Sequence, residues 1–197
     1  RIPVTVGAGS NDTLHAAALA RRYEAMGADG LLVVTPYYNK ANKSGMLAHF
    51  RTIADGVNIP ILLYNVPSRT GCSIPLDVLE ELSHHKNIVG IKDTTVDMSH
   101  TRELIKTVKS KIPTFEIYSG FDDNFAHNIM AGGDGCIAAL SNVVPEICAA
   151  WVKAFRNNDL EGIAKGQQTI DRLMDLYSIR DPFLPVLKEA CKLRGIA

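Results

Sequence analysis

The sequence predicts an α/β chain of the (β/α)8 TIM-barrel class, with about six βα units followed by C-terminal helices. Three observations carry this. Short apolar segments alternate with amphipathic ones along most of the chain. Thr35, Tyr64, Lys92 and Ser119, each closing an apolar segment, lie 29, 28 and 27 residues apart, a pitch that fits right-handed βαβ units and a parallel sheet. The turn after the first segment, Val6-Gly7-Ala8-Gly9-Ser10-Asn11, lacks the third glycine of a G-x-G-x-x-G fingerprint. That counts against an open doubly wound sheet, the competing layout.

The predicted strands are Pro3 to Gly7, Gly30 to Thr35, Pro60 to Val66, Ile88 to Lys92, Thr114 to Ser119 and Gly135 to Leu140. Each is short, apolar and rich in β-branched residues, as parallel strands buried on both faces require. The predicted helices carry start signals. Asn11-Asp12-Thr13 precedes Leu14 to Met26, Ser44 precedes Met46 to Ile53, and Pro75-Leu76 opens Asp77 to Ser83. Asp97 caps Met98 to Val108, Asp122 caps Asn124 to Met130, and Pro145 opens Glu146 to Phe155. Gly27, Gly56 and Gly132-Gly133 end helices before the next strand. Residues 1–156 thus read as βα units and 157–197 as C-terminal helices. A closed barrel of this class needs eight strands, so the first two units are expected ahead of Arg1.

Lys+Arg and Asp+Glu both total 21, so no excess positive charge points to nucleic acid or an anionic membrane. Apolar runs are only strand-length, which predicts no transmembrane helix; no signal segment is expected either, because the chain opens directly into a strand. Cys72, Cys136, Cys148 and Cys191 are scattered without a C-x-x-C pair and read as reduced thiols of a cytoplasmic enzyme. No His/Cys cluster has metal-ligand spacing, so no metal is expected.

Active sites of this fold class lie at the C-terminal ends of the strands. Lys92 ends Ile88-Val89-Gly90-Ile91-Lys92. Strand alternation sends Gly90 and Lys92 to one face and Val89 and Ile91 to the other. With Val89 and Ile91 under the helices, Lys92 projects into the barrel mouth. A partly desolvated amine there is able to attack a carbonyl; a lysine that snorkels to solvent or pairs with Asp93 is the plainer alternative. Tyr64 ends its strand one repeat earlier, and neighbouring strands lie about 4.8 Å apart. Its hydroxyl can therefore move protons for Lys92; a core tyrosine whose hydroxyl bonds to backbone is the plainer alternative. Arg69, in the loop Asn65 to Gly71, can hold a carboxylate bidentately; a merely solvated loop arginine is the plainer alternative. In Val34-Thr35-Pro36-Tyr37-Tyr38-Asn39 one tyrosine lines the site or packs under a loop and the other points outward, toward solvent or a partner subunit. Ala131-Gly132-Gly133-Asp134-Gly135 follows a helix and reads as a helix-ending turn, not a phosphate cradle.

Three motifs, Val34-Thr35-Pro36-Tyr37-Tyr38-Asn39, Tyr64-Asn65-Val66-Pro67-Ser68-Arg69-Thr70-Gly71 and Gly90-Ile91-Lys92-Asp93-Thr94, resemble those of the dihydrodipicolinate synthase and N-acetylneuraminate lyase superfamily of pyruvate-dependent class I aldolases. The resemblance implies that Lys92 forms a Schiff base with pyruvate, with no separate cofactor, and that Tyr64 relays protons. It implies that Gly120 and the Ile137 carbonyl line the pyruvate site, and that Tyr38 crosses a dimer interface, in a homodimer or homotetramer. Ser68-Arg69-Thr70-Gly71 resembles the synthase branch, whose arginine binds the carboxylate of aspartate semialdehyde; condensation of pyruvate with that aldehyde, in lysine and diaminopimelate biosynthesis, is the expected activity. Phe121 departs from the Ser-Gly-Asp-Asp of the synthases toward the lyase-like branches, so a retro-aldol lyase acting on a sugar acid or N-acetylneuraminate is the second expectation. A catalytically silent structural module is the third. The family's Gly-Thr-Thr-Gly-Glu motif is expected ahead of Arg1. Asn11 and Tyr37 match a lysine-inhibition site at which His15 replaces an acidic residue.

Overall fold

The computed structural model describes residues 1–196; position 197 of the predicted tail lies outside the described residues. Six parallel strands form one sheet: β1 (Thr5–Gly7), β2 (Gly30–Val34), β3 (Ile61–Asn65), β4 (Ile88–Asp93), β5 (Glu116–Ser119) and β6 (Gly135–Cys136). Each strand pairs with the next in chain order. A doubly wound sheet reverses its strand order part-way. This order never reverses, and the sheet is six-stranded barrel wall.

Helices α1 (Thr13–Ala25), α2 (Lys43–Asp55), α3 (Pro67–Thr70), α4 (Leu76–Ser83), α5 (Met98–Leu104), α6 (Phe125–Ala131) and α7 (Pro145–Arg156) connect or follow the strands. The expected caps hold at Asp12, which accepts from His15 N, and at Asp97, which accepts from Ser99 N. Two do not. Helix α2 begins earlier than predicted because Asn42, not Ser44, accepts from Gly45 N. Asp122 does not cap α6; its carboxylate is buried and accepts from Leu140 N at 2.9 Å and Tyr177 Oη at 2.7 Å. That bond to Leu140 also shortens the predicted strand Gly135 to Leu140. Only Gly135 and Cys136 pair with β5, and the chain turns at Leu140–Asn142. Beyond α7, α8 (Leu160–Leu173) and α9 (Leu184–Leu193) pack with it around Trp151, Ile170 and Leu187, and no further strand occurs among the described residues. No described helix is long and apolar enough to cross a membrane.

Residues paired across parallel strands share a face, so the register sorts the side chains into rows. Val33, Leu63, Ile91 and Ile117 form one row and are fully buried beneath the helices. Val34, Tyr64, Lys92 and Tyr118 form a row on the opposite, inner face. The repeat therefore runs through Val34 and Tyr118, each one residue before the predicted Thr35 and Ser119, which are buried on the helix side.

A register shift between Ile61 and Leu62 accommodates one extra residue in β4, Val89. Ile88 pairs with Ile61 and joins the buried core, which Val89 does not; the expectation that Val89 packs under the helices is corrected accordingly. The bulge has a consequence for Lys92. Counting by strict alternation from a helix-facing Ile88 would send Lys92 toward the helices, and the single added residue returns it to the inner face.

Gly90 is required by close approach of the strands. A Cβ there would lie 2.4 Å from the Glu116 carbonyl oxygen. Gly90→Ala is therefore expected to destabilise the fold by about 1–3 kcal/mol, read as a lower denaturant midpoint. An unchanged midpoint would mean that β4 and β5 separate freely.

Candidate active site

The inner row brings the two principal predicted residues together. Tyr64 and Lys92 are direct register partners, both half-buried, and the Lys92 Nζ stands 4.7 Å from the centre of the Tyr64 ring. Lys92 does not pair with Asp93, whose side chain faces the helices and is fully engaged there. A cavity of about 380 Å³ opens over β1 to β3, and Tyr37, Tyr64 and Arg69 line it together with Leu32 and Val34. Arg69 is exposed on α3, a single turn opened by Pro67 and closed by Gly71 at φ +71°. This turn was not foreseen in the sequence, although Pro67 and Gly71 bracket it as helix-start and helix-end residues do.

Tyr38 stands apart. It is 86% exposed and holds φ +70°, a left-handed conformation rare outside glycine. Tyr37 thus lines the cavity and Tyr38 points outward, the division expected from two adjacent aromatics. Gly120 and Ile137 lie just past the ends of β5 and β6, where Gly120 N donates to Asp93 O and Ile137 N to Ser119 O, each at 2.9 Å. Neither lines the cavity beside Tyr64. A Cβ on Gly120 would meet Thr94 Oγ1 at 1.8 Å, so Thr94 occupies the space that a side chain at Gly120 would need. Its hydroxyl is buried without a hydrogen-bond partner. A larger cavity, about 470 Å³, lies between β6 and helices α6 and α7 and holds none of the predicted site residues.

Two further inner-face residues escaped the sequence reading, Tyr118 and Glu116. Tyr118 is the register partner of Lys92, and its hydroxyl donates to Glu116 Oε2 at 2.8 Å. Burial and the Glu116 carboxylate both raise its pKa, so Tyr118 keeps its proton. The available signal was strand alternation, which places Tyr118 beside Lys92 once the register is known.

Behind the row, Asp93 accepts hydrogen bonds from Asn65 Nδ2 (2.8 Å), Thr95 Oγ1 (3.1 Å), Thr101 Oγ1 (2.8 Å) and His100 Nδ1 (2.9 Å). Burial alone would raise the Asp93 pKa, but the His100 contact and the other donors outweigh it and hold the carboxyl below its usual range. The same contact raises the pKa of His100. In contrast, His49 under β2 is 1% exposed, with Nδ1 on Thr13 Oγ1 at 2.9 Å and Nε2 unpartnered. Burial pulls its pKa down to about 4.

These directions set the pH profile of stability. His49 stays neutral in the fold at pH values where the unfolded chain takes up a proton. Stability should therefore fall as pH drops from 6.5 toward 4, by on the order of 3 kcal/mol. His49→Gln should flatten that limb. The stabilisation from His100 is complete below pH 6.5 and is lost as pH rises through its raised folded value. Denaturant midpoints measured from pH 4 to 9 check both limbs, and identical acid limbs in the native protein and His49→Gln would sink the His49 assignment.

Residues 1–197 match the dihydrodipicolinate synthetase family over their whole length. Among curated relatives, the chain is 36% identical to the "Probable 2-dehydro-3-deoxy-D-pentonate aldolase YjhH" of Escherichia coli K12, covering 100% of this chain and 65% of the relative. It is also 36% identical to the 4-hydroxy-tetrahydrodipicolinate synthase of Gluconacetobacter diazotrophicus, with the same coverage. The crystal structure of YagE, a prophage protein of the dihydrodipicolinic acid synthase family from E. coli K12 in complex with pyruvate, superposes with a TM-score of 0.97 at 35% identity, over 100% of this chain and 66% of YagE. The chain thus spans about two thirds of the length of the curated relatives it matches. With its barrel-ordered sheet and its lysine and tyrosine in register at the strand ends, the chain belongs to the dihydrodipicolinate synthetase family.

Proposed function

We propose that the chain carries the Schiff-base centre of a pyruvate-dependent aldolase, with Lys92 as nucleophile and Tyr64 as acid/base. The observation that carries this reading is the placement of the Lys92 amine against the Tyr64 ring on the inner face. In the neutral form, Nζ attacks the ketone carbon of pyruvate to give a carbinolamine. Tyr64 protonates the departing hydroxyl, and loss of water leaves the imine. The Tyr64 phenolate takes up a methyl proton to give an enamine, whose carbon bonds to the aldehyde carbon of an acceptor while Tyr64 returns that proton to the aldehyde oxygen; addition of water to the imine then frees Lys92. Retro-aldol cleavage runs the same steps backward. Gly120 and Ile137 complete the pyruvate pocket, and Tyr38 serves a neighbouring subunit in a homodimer or homotetramer. The exposed, left-handed Tyr38 supports that assembly.

The proposed acceptor is aspartate semialdehyde, its carboxylate held by Arg69 at the rim of the Tyr64 cavity. Likeness to the G. diazotrophicus synthase supports this. A second reading, cleavage of a 2-dehydro-3-deoxy sugar acid, is favoured by the likeness to YjhH and by Phe121, which stands half-buried where the synthases carry aspartate.

Reduction with borohydride in the presence of pyruvate should label Lys92 in the native, full-length protein, and Lys92→Arg should abolish the label. Label on a different lysine would end the Schiff-base reading. Tyr64→Phe should keep the fold yet lose turnover by roughly two orders of magnitude. Arg69→Ala should chiefly raise the KM for aspartate semialdehyde, by about 10- to 100-fold for a lost charge-assisted contact. A higher kcat/KM with sugar acids than with aspartate semialdehyde, insensitive to Arg69→Ala, would decide for the second reading.

A further inference from the structure

The residues that follow Tyr64 and Lys92 are Asn65 and Asp93, themselves register partners on the helix-facing side. They are 0% and 2% exposed. The row before them on that face is Val33, Leu63, Ile91 and Ile117, so an amide and a carboxylate interrupt an otherwise apolar surface. Placing those groups there costs desolvation, and each must find partners within the protein.

They find them in each other and in two further segments. Asn65 donates from Nδ2 to Asp93 Oδ1 at 2.8 Å, while its Oδ1 accepts from Ile74 N at 3.0 Å and meets Ser73 Oγ at 3.3 Å. Ile74 and Ser73 belong to the segment that leaves α3, the turn carrying Arg69. Asp93 Oδ2 accepts from His100 and Thr101 of α5 and from Thr95. One network therefore fastens together the end of β3, the end of β4, the chain behind Arg69 and helix α5. All of it lies behind the wall, out of reach of a substrate on the inner face. The backbone ladder continues through the same level, with Thr94 N donating to Asn65 O and Gly120 N to Asp93 O.

We infer that Asn65, Asp93 and His100 are positioning residues that set the separation of Tyr64 from Lys92 and hold the Arg69 turn against both. The inference rests on the catalytic roles proposed for Lys92 and Tyr64. The ionised Asp93 is what the geometry uses, because four donors converge on it and a protonated carboxyl would have to donate into that crowd. His100 supplies the positive partner. The other charged groups near this pair are Asp97 at the start of α5, which also favours the charged imidazole, and Lys92 on the opposite face of β4. Parallel strand ends splay where ladder hydrogen bonds run out, and a displacement of about 1 Å between reacting groups can cost on the order of 100-fold in rate.

The test uses the native, full-length protein and four readouts: the rate of borohydride trapping at Lys92, pyruvate half-saturation, turnover against pH, and the thermal midpoint. Asp93→Asn and His100→Ala are expected to keep a cooperative transition and label confined to Lys92. Trapping rates should fall by roughly 10- to 100-fold, while half-saturating pyruvate changes by less than about threefold. His100→Asn, whose amide nitrogen replaces the ring Nδ1 donor but not its charge, should recover part of the rate lost in His100→Ala, and should lack the alkaline fall in turnover expected of the native protein as His100 deprotonates. If Asp93→Asn does not fold, His100→Ala and its rescue by His100→Asn decide the question. Native trapping rates and native pH profiles in folded variants with lowered midpoints would assign the network to stability alone and overturn the inference. Absence of label on Lys92 in the unmodified protein would instead overturn the catalytic reading, and the clamp with it.

Discussion

The register of β3 on β4 is the constraint on which the rest of the site depends. Side chains alternate across a strand, so a slip of one residue would carry Lys92 from the inner face to the helices and bring Asp93 inward. The register is held at both ends. At the start, Ile88 pairs with Ile61 and is buried with it, and the bulge at Val89 absorbs the odd residue. At the end, Asn65 pairs with Asp93 and bonds to it directly. Between these points Gly90 lets the neighbouring strand approach more closely than a methyl group would permit.

Two buried carboxylates do comparable work outside the sheet. Asp93 gathers β3, β4 and α5, while Asp122 ties the turn after β5 to Leu140 beyond β6 and to Tyr177 near the C-terminal end. Both are about 2% exposed. An ion in such a place is tolerated only when its lone pairs are filled, and the groups that fill them come from segments far apart in sequence. The strand-end loops that surround Lys92 are therefore anchored from behind, while on the inner face Tyr118 bonds to Glu116.

The chain is similar over its whole length both to a synthase and to a sugar-acid aldolase, so one scaffold accommodates both kinds of relative. In this chain the elements available for that choice are Arg69 on a single exposed helical turn and Phe121 beyond β5. They follow different strands, Arg69 after β3 and Phe121 after β5. One offers a positive charge and the other an apolar ring, both on segments outside the common core, and fold and function are generally separable.

By itself the sequence determined the fold class, because strand and helix periodicity and a pitch of 27 to 29 residues are local properties that survive without knowledge of contacts. It determined Lys92 and Tyr64 as a pair for the same reason: both end strands one repeat apart. The tertiary structure decided what depends on pairing between distant segments. It moved the inner row from Thr35 and Ser119 to Val34 and Tyr118, exchanged Val89 for Ile88 in the core, and turned Asp122 from a helix cap into a buried anchor. It also joined Asn65 and Asp93 to His100. A bulge or a buried polar bond leaves no periodic trace, since its cause is a partner on another strand or helix, and that partner is brought near only when the chain folds.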